Sequence, residues 1–387
     1  MQKNNSISFK AIISTQYFLY FGILGVSLPY FNLYCYHLGF NGFQIGMLSA
    51  FRTLAMLLFP LIWGRLADRF QSRRPIYILA NFVSAGLWVF YLLTSDFYMM
   101  LIITVCYEMF HAPIISFLEA FTMDLLGDRK KSYGRVRVWG SAAFIAVSLL
   151  LGKIISLYSI NIILALILAG SLIQAMLSLQ IPAAARVRSE KISQAWSEIW
   201  GPEKRKRVIF FLISAFLMLV SHGTYYGFFS IHLEKAGCGS TFIGMAWALA
   251  SLSEILVMIH SDKIFRRFSI ENVLIFSFAV AGLRWFTLFF AASPVIILIS
   301  QLFHAITYGT FHVASILYID SLTPAEAKTT GQAVNNAVTY GLGMTVGFFM
   351  NGFLYESFGS FALFGISGFI AFGGGLLAAH LKSLNPD

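Results

Sequence analysis

Apolar stretches, each long enough to cross a bilayer and parted by short polar breaks, constrain this chain more than any motif does. They run near residues 9–36, 43–67, 75–95, 97–126, 133–157 and 160–180, and resume near 207–232, 241–261, 271–291, 294–318, 328–353 and 358–381. A crossing helix needs about 20 residues at ~1.5 Å rise per residue, which every stretch supplies. In hydrocarbon no water satisfies a backbone amide, so a run of this length is buried as a helix. The expected fold class is an all-α membrane protein, with twelve transmembrane helices in two pseudo-symmetric six-helix bundles. Of the 387 residues 58% are hydrophobic and 11% charged, against roughly 25% charged in soluble domains. That balance leaves no room for a large soluble domain.

The expected domains are residues 1–182, a six-helix bundle; residues 183–206, a cytoplasmic central loop; and residues 207–387, a second six-helix bundle. The loop gathers Arg186, Arg188, Lys191, Lys204, Arg205 and Lys206 among three Glu, and its Trp196 and Trp200 suggest a short interfacial helix. The first apolar run follows Lys3 and Lys10, exceeds the h-region of a signal peptide and lacks a small-residue cleavage site, so it is read as a retained first helix. With the N-terminus inside, all but five of the 27 Lys and Arg fall in cytoplasmic segments. The five are Lys153 and Lys235 outside, and Arg52, Arg137 and Arg284 within apolar runs. Both termini are therefore predicted to be cytoplasmic, in a bacterial-type cytoplasmic (inner) membrane. The net charge of +10 follows this sidedness, and no nucleic-acid partner is implied.

Cys35, Cys106 and Cys238 have no metal-ligand spacing and support no disulfide framework. Neither a metal nor a cofactor is implied. A Gly-x-x-x-x-Gly-Lys-Ser/Thr loop is absent, so the chain does not itself hydrolyse ATP. The polar break after the second stretch reads Gly64-Arg-Leu-Ala-Asp68-Arg69-Phe-Gln71-Ser-Arg73-Arg74, and the break after the eighth reads Ser261-Asp262-Lys263-Ile-Phe-Arg266-Arg267. These breaks lie about half the chain apart, as in a duplicated six-helix unit.

Two groups of six stretches with the Gly64–Arg74 loop resemble the major facilitator superfamily, the loop departing from that signature at Gln71, where Gly is usual. The resemblance implies that Gly64, Asp68, Arg69 and Arg73 form a conformational latch; read as residues alone, the same charges also serve as cytoplasmic anchors. A narrower likeness lies in Leu118-Glu119-Ala120-Phe121 and in Tyr133 to Gly140, which resemble the helix 4–5 hairpin of the lactose permease group, and particularly of the 3-phenylpropionate permeases. His222 to Phe228, Glu254, Arg284-Trp285 and His304 to His312 are also similar to the latter. Phe144 stands where lactose permease stacks a Trp on sugar, and Thr307 and Tyr340 stand at its relay carboxylate and lysine positions. The resemblance thus implies alternating-access transport, without the galactoside specificity or the lactose-type relay.

Ionisable groups within hydrocarbon cost about 2.5 to 3.5 kcal/mol each by insertion scales, so they face a cavity or a partner. Glu119 and Arg137 lie at matching depth and are expected to pair, either as a pair that substrate opens or as a permanent structural one. Arg52 and Glu108 also match in depth, and an Arg whose partner is exchangeable suits a carboxylate through bidentate hydrogen bonds. Glu254, His304 and Arg284 form the expected proton-coupling cluster, because burial and a neighbouring Arg poise a carboxylate between two protonation states. The expected substrate-binding set is Glu119, Arg137, Arg52, Glu108, Phe144, His222, Tyr226, Trp247 and His312. These acids and bases are spread along both halves, whereas an enzyme would concentrate them. The function expected is proton-coupled uptake of a small aromatic carboxylate of the phenylpropanoate type, by a monomer whose partners are solute, protons and lipid. A sugar or nucleoside symporter, or an exporter, is the alternative.

Overall fold

The computed structural model describes residues 2–127, 132–182, 200–291 and 293–384. Helices joined by short turns account for it, with no strand among the described residues. They are α1 (Gln2–His37), α2 (Gly42–Phe70), α3 (Arg73–Trp88, prolonged by a 3-10 turn Val89–Leu92), α4 (Phe97–Leu126), α5 (Tyr133–Leu157) and α6 (Ile162–Ser178). There follow α7 (Pro202–Lys235), α8 (Ser240–Arg267), α9 (Ile270–Phe290) and α10 (Pro294–Leu322). The last helical span, Ala325–Ser383, is interrupted at Gly359 (φ 71°, ψ 170°), which parts α11 (328–358) from α12 (360–383). Ten spans among the described residues are long and apolar enough to cross a membrane, and α6 is a shorter apolar helix. The expected interfacial helix of the central loop, with Trp196, lies outside the described residues. Trp200 is described and buried, its indole N–H donating to Thr323 Oγ1 at 3.3 Å.

Helix faces are inverted relative to a soluble bundle. Phe369, Phe372 and Leu376 of α12 recur on one face and are 59–70% exposed, as are Phe276, Leu283 and Phe290 of α9 at 56–77%. Seven-residue spacing keeps the latter on one stripe, and such a stripe suits acyl chains. The inner faces instead carry buried Ser, Thr, Asn and His, and Arg284 is fully buried.

Turns repeat between the halves. After α1, Gly39 adopts φ 86° and Phe40 N–H donates to Cys35 O at 3.1 Å; after α7, Gly237 adopts φ 80° and Cys238 N–H donates to Leu233 O at 2.9 Å. Both are Schellman caps, which place a glycine in the left-handed region because it has no Cβ to clash. In α10 and α11 the regular ladder loosens into π-helical turns, Ala305–Thr310 and Ala337–Gly343.

The chain packs as two compact units. One holds the described residues of 2–40, 51–182 and 239–248; the other those of 41–50, 200–238 and 249–384. The first turns of α2 and α8 therefore pack apart from the remainder of their own helices. In the first unit Tyr30 OH donates to Ser240 O at 3.1 Å, and a Cβ on Gly244 would lie 2.3 Å from Ser148 O. In the second, Gly42 N–H donates to Glu356 Oε1 at 2.6 Å, and a Cβ on Gly46 would lie 2.6 Å from Phe348 O. At Gly46 and Gly244 backbone meets backbone, an approach that no larger residue permits.

Candidate functional site

The second unit brings together the residues expected to handle a proton. Arg284 of α9 is fully buried, and its Nη1 donates to His304 Nδ1 at 2.6 Å and to Thr307 Oγ1 at 3.2 Å, while Nη2 donates to Gln301 Oε1 at 2.9 Å. A guanidinium only donates, so His304 Nδ1 is the acceptor and the imidazole proton sits on Nε2. That Nε2 lies 2.6 Å from Glu254 Oε1 of α8 and 3.3 Å from Tyr226 OH of α7. The result is a chain, Arg284 to His304 to Glu254, with no direct ion pair between its ends. A second proton on His304 would set an N–H against the guanidinium at Nδ1, so this geometry requires the neutral imidazole. Arg284 is further held over aromatic faces, its Cζ 4.3 Å from the Tyr225 ring centroid and 4.8 Å from that of Trp285.

The π turn of α10 extends this chain. Tyr308 stacks on His304 (5.2 Å between centroids, 19°) and lies parallel to His312 at 6.5 Å (8°), whose Nδ1 is 2.6 Å from Tyr340 OH. Thr307 and Tyr340 thus contact Arg284 and His312. His222 faces Trp285 edge-on at 4.9 Å, and its Nδ1 is 2.9 Å from Met218 O, the bond of a core histidine to its own helix.

The first unit holds an ionic cluster of its own. Arg52 Nε of α2 lies 2.8 Å from Glu108 Oε1 of α4, as the matched depths predict, and Glu108 Oε2 also meets His111 Nδ1 at 3.3 Å. The pairing expected of Glu119 and Arg137 is absent. Glu119 is exposed and accepts from Tyr133 OH at 3.4 Å, while the Arg137 guanidinium lies 3.7 Å over the Phe21 ring of α1, its Nη1 buried without a hydrogen-bond partner. Helical rise sets their common depth, but the azimuth of Arg137 on α5 turns it to α1, where cation–π attraction takes the place of the ion pair. Phe144, one turn beyond Gly140, is buried with its backbone against Gly25. Trp247 is buried and packs with the first unit.

In the loop after α2, Arg73 lies 3.2 Å from Asp68 Oδ1 and 3.8 Å from Asp124 Oδ2 at the end of α4. Arg69 lies over Phe70 at 5.6 Å instead, and Gly64 has open space around it. Arg74 donates to Ile181 O at 2.6 Å and Leu179 O at 2.8 Å, tying the start of α3 to the end of α6. Gln71 adopts φ 50°, which explains why Gly is usual there; its Nε2 donates to Asp68 O at 2.8 Å.

Sequence reading missed Gln301, Tyr308 and His111. The first two share a helical face with His304, at three residues before and four after, and Glu108-x-x-His111 has the spacing of one face. Those spacings were the available signal.

Among known proteins, the model of the MFS_1 like family matches residues 11–366. A protein of Escherichia coli (strain K12) named "Probable 3-phenylpropionic acid transporter" is 27% identical over 352 residues, covering 89% of this chain and 90% of its own length. The maltose permease of Geobacillus stearothermophilus is 23% identical over 355 residues, 90% of this chain and 88% of that protein. A crystal structure of the nucleoside transporter NupG shares the fold with a TM-score of 0.82 at 19% identity, over 97% of this chain and 98% of that one.

Proposed function

The chain belongs to the MFS_1 like family and is a multi-pass membrane transporter, not an enzyme; we propose that it is a proton-coupled symporter for uptake of a small aromatic carboxylate of the phenylpropanoate type. In this reading it crosses the inner membrane twelve times, with α6 one crossing and Gly359 the break between the last two. Residues 1–182 and 207–387 form the two halves, both termini are cytoplasmic, and the monomer is the working unit. The sidedness of Lys and Arg supports that orientation.

The observation that carries the coupling is the chain Arg284–His304–Glu254, in which Glu254 alone is free to gain and lose a proton. Protonated Glu254 removes the negative end of the chain and leaves Arg284 without a counter-charge, so the two protonation states differ in what they demand of α8, α9 and α10. Arg137 supports an anionic substrate: of the three intramembrane Arg, Arg52 is paired to Glu108 and Arg284 is linked to Glu254 through His304, whereas Arg137 makes no ion pair among the described residues. A carboxylate that reached its unpartnered Nη1 would be bonded through a charge-assisted contact, with Phe21 and Tyr17 beside it for an aromatic ring. His222, Tyr226 and His312 line the coupling cluster, and the Asp68–Arg73–Asp124 group acts as the latch.

The test is uptake of 3-phenylpropionate by proteoliposomes with and without an imposed pH gradient, with sugars and nucleosides as competitors. Uptake driven by the gradient, weakened in Arg137→Gln and not displaced by a sugar or nucleoside, is the expected result. Uptake indifferent to pH removes the coupling, and displacement by a nucleoside or sugar alone removes the substrate class.

A further inference from the structure

On its outside the first unit carries a groove with no part in the coupling cluster or the latch. Helices α1 and α5 run parallel and meet closely at Gly25, where a Cβ would lie 3.0 Å from Phe144 O, and at Gly140, where one would lie 2.6 Å from Phe21 Cδ2. Toward the ends at which both helices begin, the small side chains Ala11, Ser14 and Thr15 of α1 stand across from Trp139 of α5. With Lys10 and Phe18 they line an open groove of about 520 Å³. Volumes of ~300 to 1,000 Å³ are those of small-ligand sites.

The groove faces lipid. Two residues turn a helix by about 200°, so Trp139 leaves α5 on the far flank from Arg137, which lies over Phe21. Another side of α5 is taken by α8, whose Gly244 and Ser240 meet Ser148 and Gly152. Arg135, Trp139, Ala142, Ala146 and Leu150 are left as an exposed stripe at spacings of three and four residues, with Trp139 53% exposed. A tryptophan on such a stripe, one turn from a cation, sits at the level of lipid headgroups.

The polar groups gather at one end of the groove. Lys10 lines it and Arg135 lies one turn before Trp139; both are exposed, and neither makes an ion pair among the described residues. Among the described residues the Trp139 indole N–H and the Ser14 hydroxyl also make no hydrogen bond, whereas Thr15 Oγ1 donates to Ala11 O at 2.9 Å. An apolar hollow that ends in two cations and unmet donors matches an amphiphile with an anionic head.

We propose that the groove between α1 and α5 is a binding site for one anionic phospholipid, its phosphate held by Lys10 and Arg135 and an acyl chain laid along Trp139 and Phe18. The lipid fills the space left by Ala11, Ser14 and Thr15 and backs the α1–α5 contact on the flank away from Arg137. Neither the identity of the solute nor the direction of transport enters this inference.

The test uses full-length protein in phosphatidylcholine vesicles with a minor fraction of lipid brominated on its acyl chains, either phosphatidylglycerol or phosphatidylcholine. Bromine quenches tryptophan at close range, and the quenching that disappears in Trp139→Phe reports this groove. Brominated phosphatidylglycerol should bind beside Trp139 about 25-fold more tightly than brominated phosphatidylcholine, at about fivefold per cation. Lys10→Gln combined with Arg135→Gln should bring the two lipids level. Thr15→Leu, which fills the hollow and keeps both cations, should also abolish the preference; all three positions are exposed, so these variants should fold. Equal quenching by the two lipids in wild type overturns the proposal. A preference that survives Thr15→Leu also overturns it, since a basic belt without a groove would then suffice. Loss of the phosphatidylglycerol signal on adding 3-phenylpropionate would assign the groove to solute and overturn the lipid site.

Discussion

Replacing Glu254 with Gln separates proton coupling from solute movement. The Gln carbonyl oxygen still accepts from His304 Nε2–H, so the 2.6 Å contact and the Arg284 bond behind it persist. What is lost is the oxygen that takes a proton. The variant is an electrical mimic of protonated Glu254, a state that the proposed cycle includes, so it should fold. Glu254→Ala would instead take from His304 Nε2–H the acceptor it has at 2.6 Å, a loss of about 1 to 3 kcal/mol that confounds any transport measurement. A gradient of one pH unit supplies about 1.4 kcal/mol per coupled proton, equivalent to roughly tenfold accumulation. Wild-type proteoliposomes with an alkaline interior should therefore concentrate solute by about tenfold or more. Glu254→Gln liposomes should equilibrate solute to about equal concentration, while exchange of labelled external for unlabelled internal solute continues, because exchange needs no release of a proton. Accumulation by the variant matching wild type would refute the assignment of the coupling proton to Glu254. Loss of exchange together with accumulation would refute the claim that the Gln preserves the site.

Asp68→Asn should slow the conformational cycle while leaving solute affinity unchanged, since its bridge to Arg73 is 3.2 Å long, part-exposed and worth less than about 1 kcal/mol to static stability; binding calorimetry beside single-turnover efflux checks this, and an affinity loss with normal efflux contradicts it. At Gln71, Ala keeps the φ of 50° and loses the hydrogen bond to Asp68 O, for a cost of about 1 kcal/mol, whereas Gly removes the strain and should stay within about 1 kcal/mol of wild type. Thermal unfolding in detergent ranks the two, and Ala equal to or above Gly refutes the strain.

The apolar stretches made the helical class legible, because hydrocarbon tolerates little else for runs of that length. Arg284, His304 and Glu254 were legible for a related reason: a charge within such a run needs a partner, and few partners exist. Depth along the membrane follows from helical rise, which is why Arg52 and Glu108 were matched. Rotation about the helix axis does not follow from rise, and Arg137 shows the consequence, meeting Phe21 at 3.7 Å in place of Glu119. The π turns of α10 and α11 were hidden for another reason. No residue type in Ala305–Thr310 or Ala337–Gly343 announces one. The Schellman caps at Gly39 and Gly237 were readable in principle, each being a glycine at the end of an apolar run.

The π turn beside His304 changes how this chain is to be lined up with others. Across Ala305–Thr310 the bonded step is i to i+5 where an α-helix uses i to i+4, so the turn carries one residue more. A position counted across the turn, from His304 to a residue beyond Thr310, lands one place away in space here from its place in a relative whose helix is α throughout. Thr307 lies ahead of that shift, its N–H still bonded four residues back to Phe303 O at 2.9 Å. An alignment of this helix with such a relative needs a one-residue gap inside the turn, and His312, eight residues on from His304, is the residue whose place depends on it.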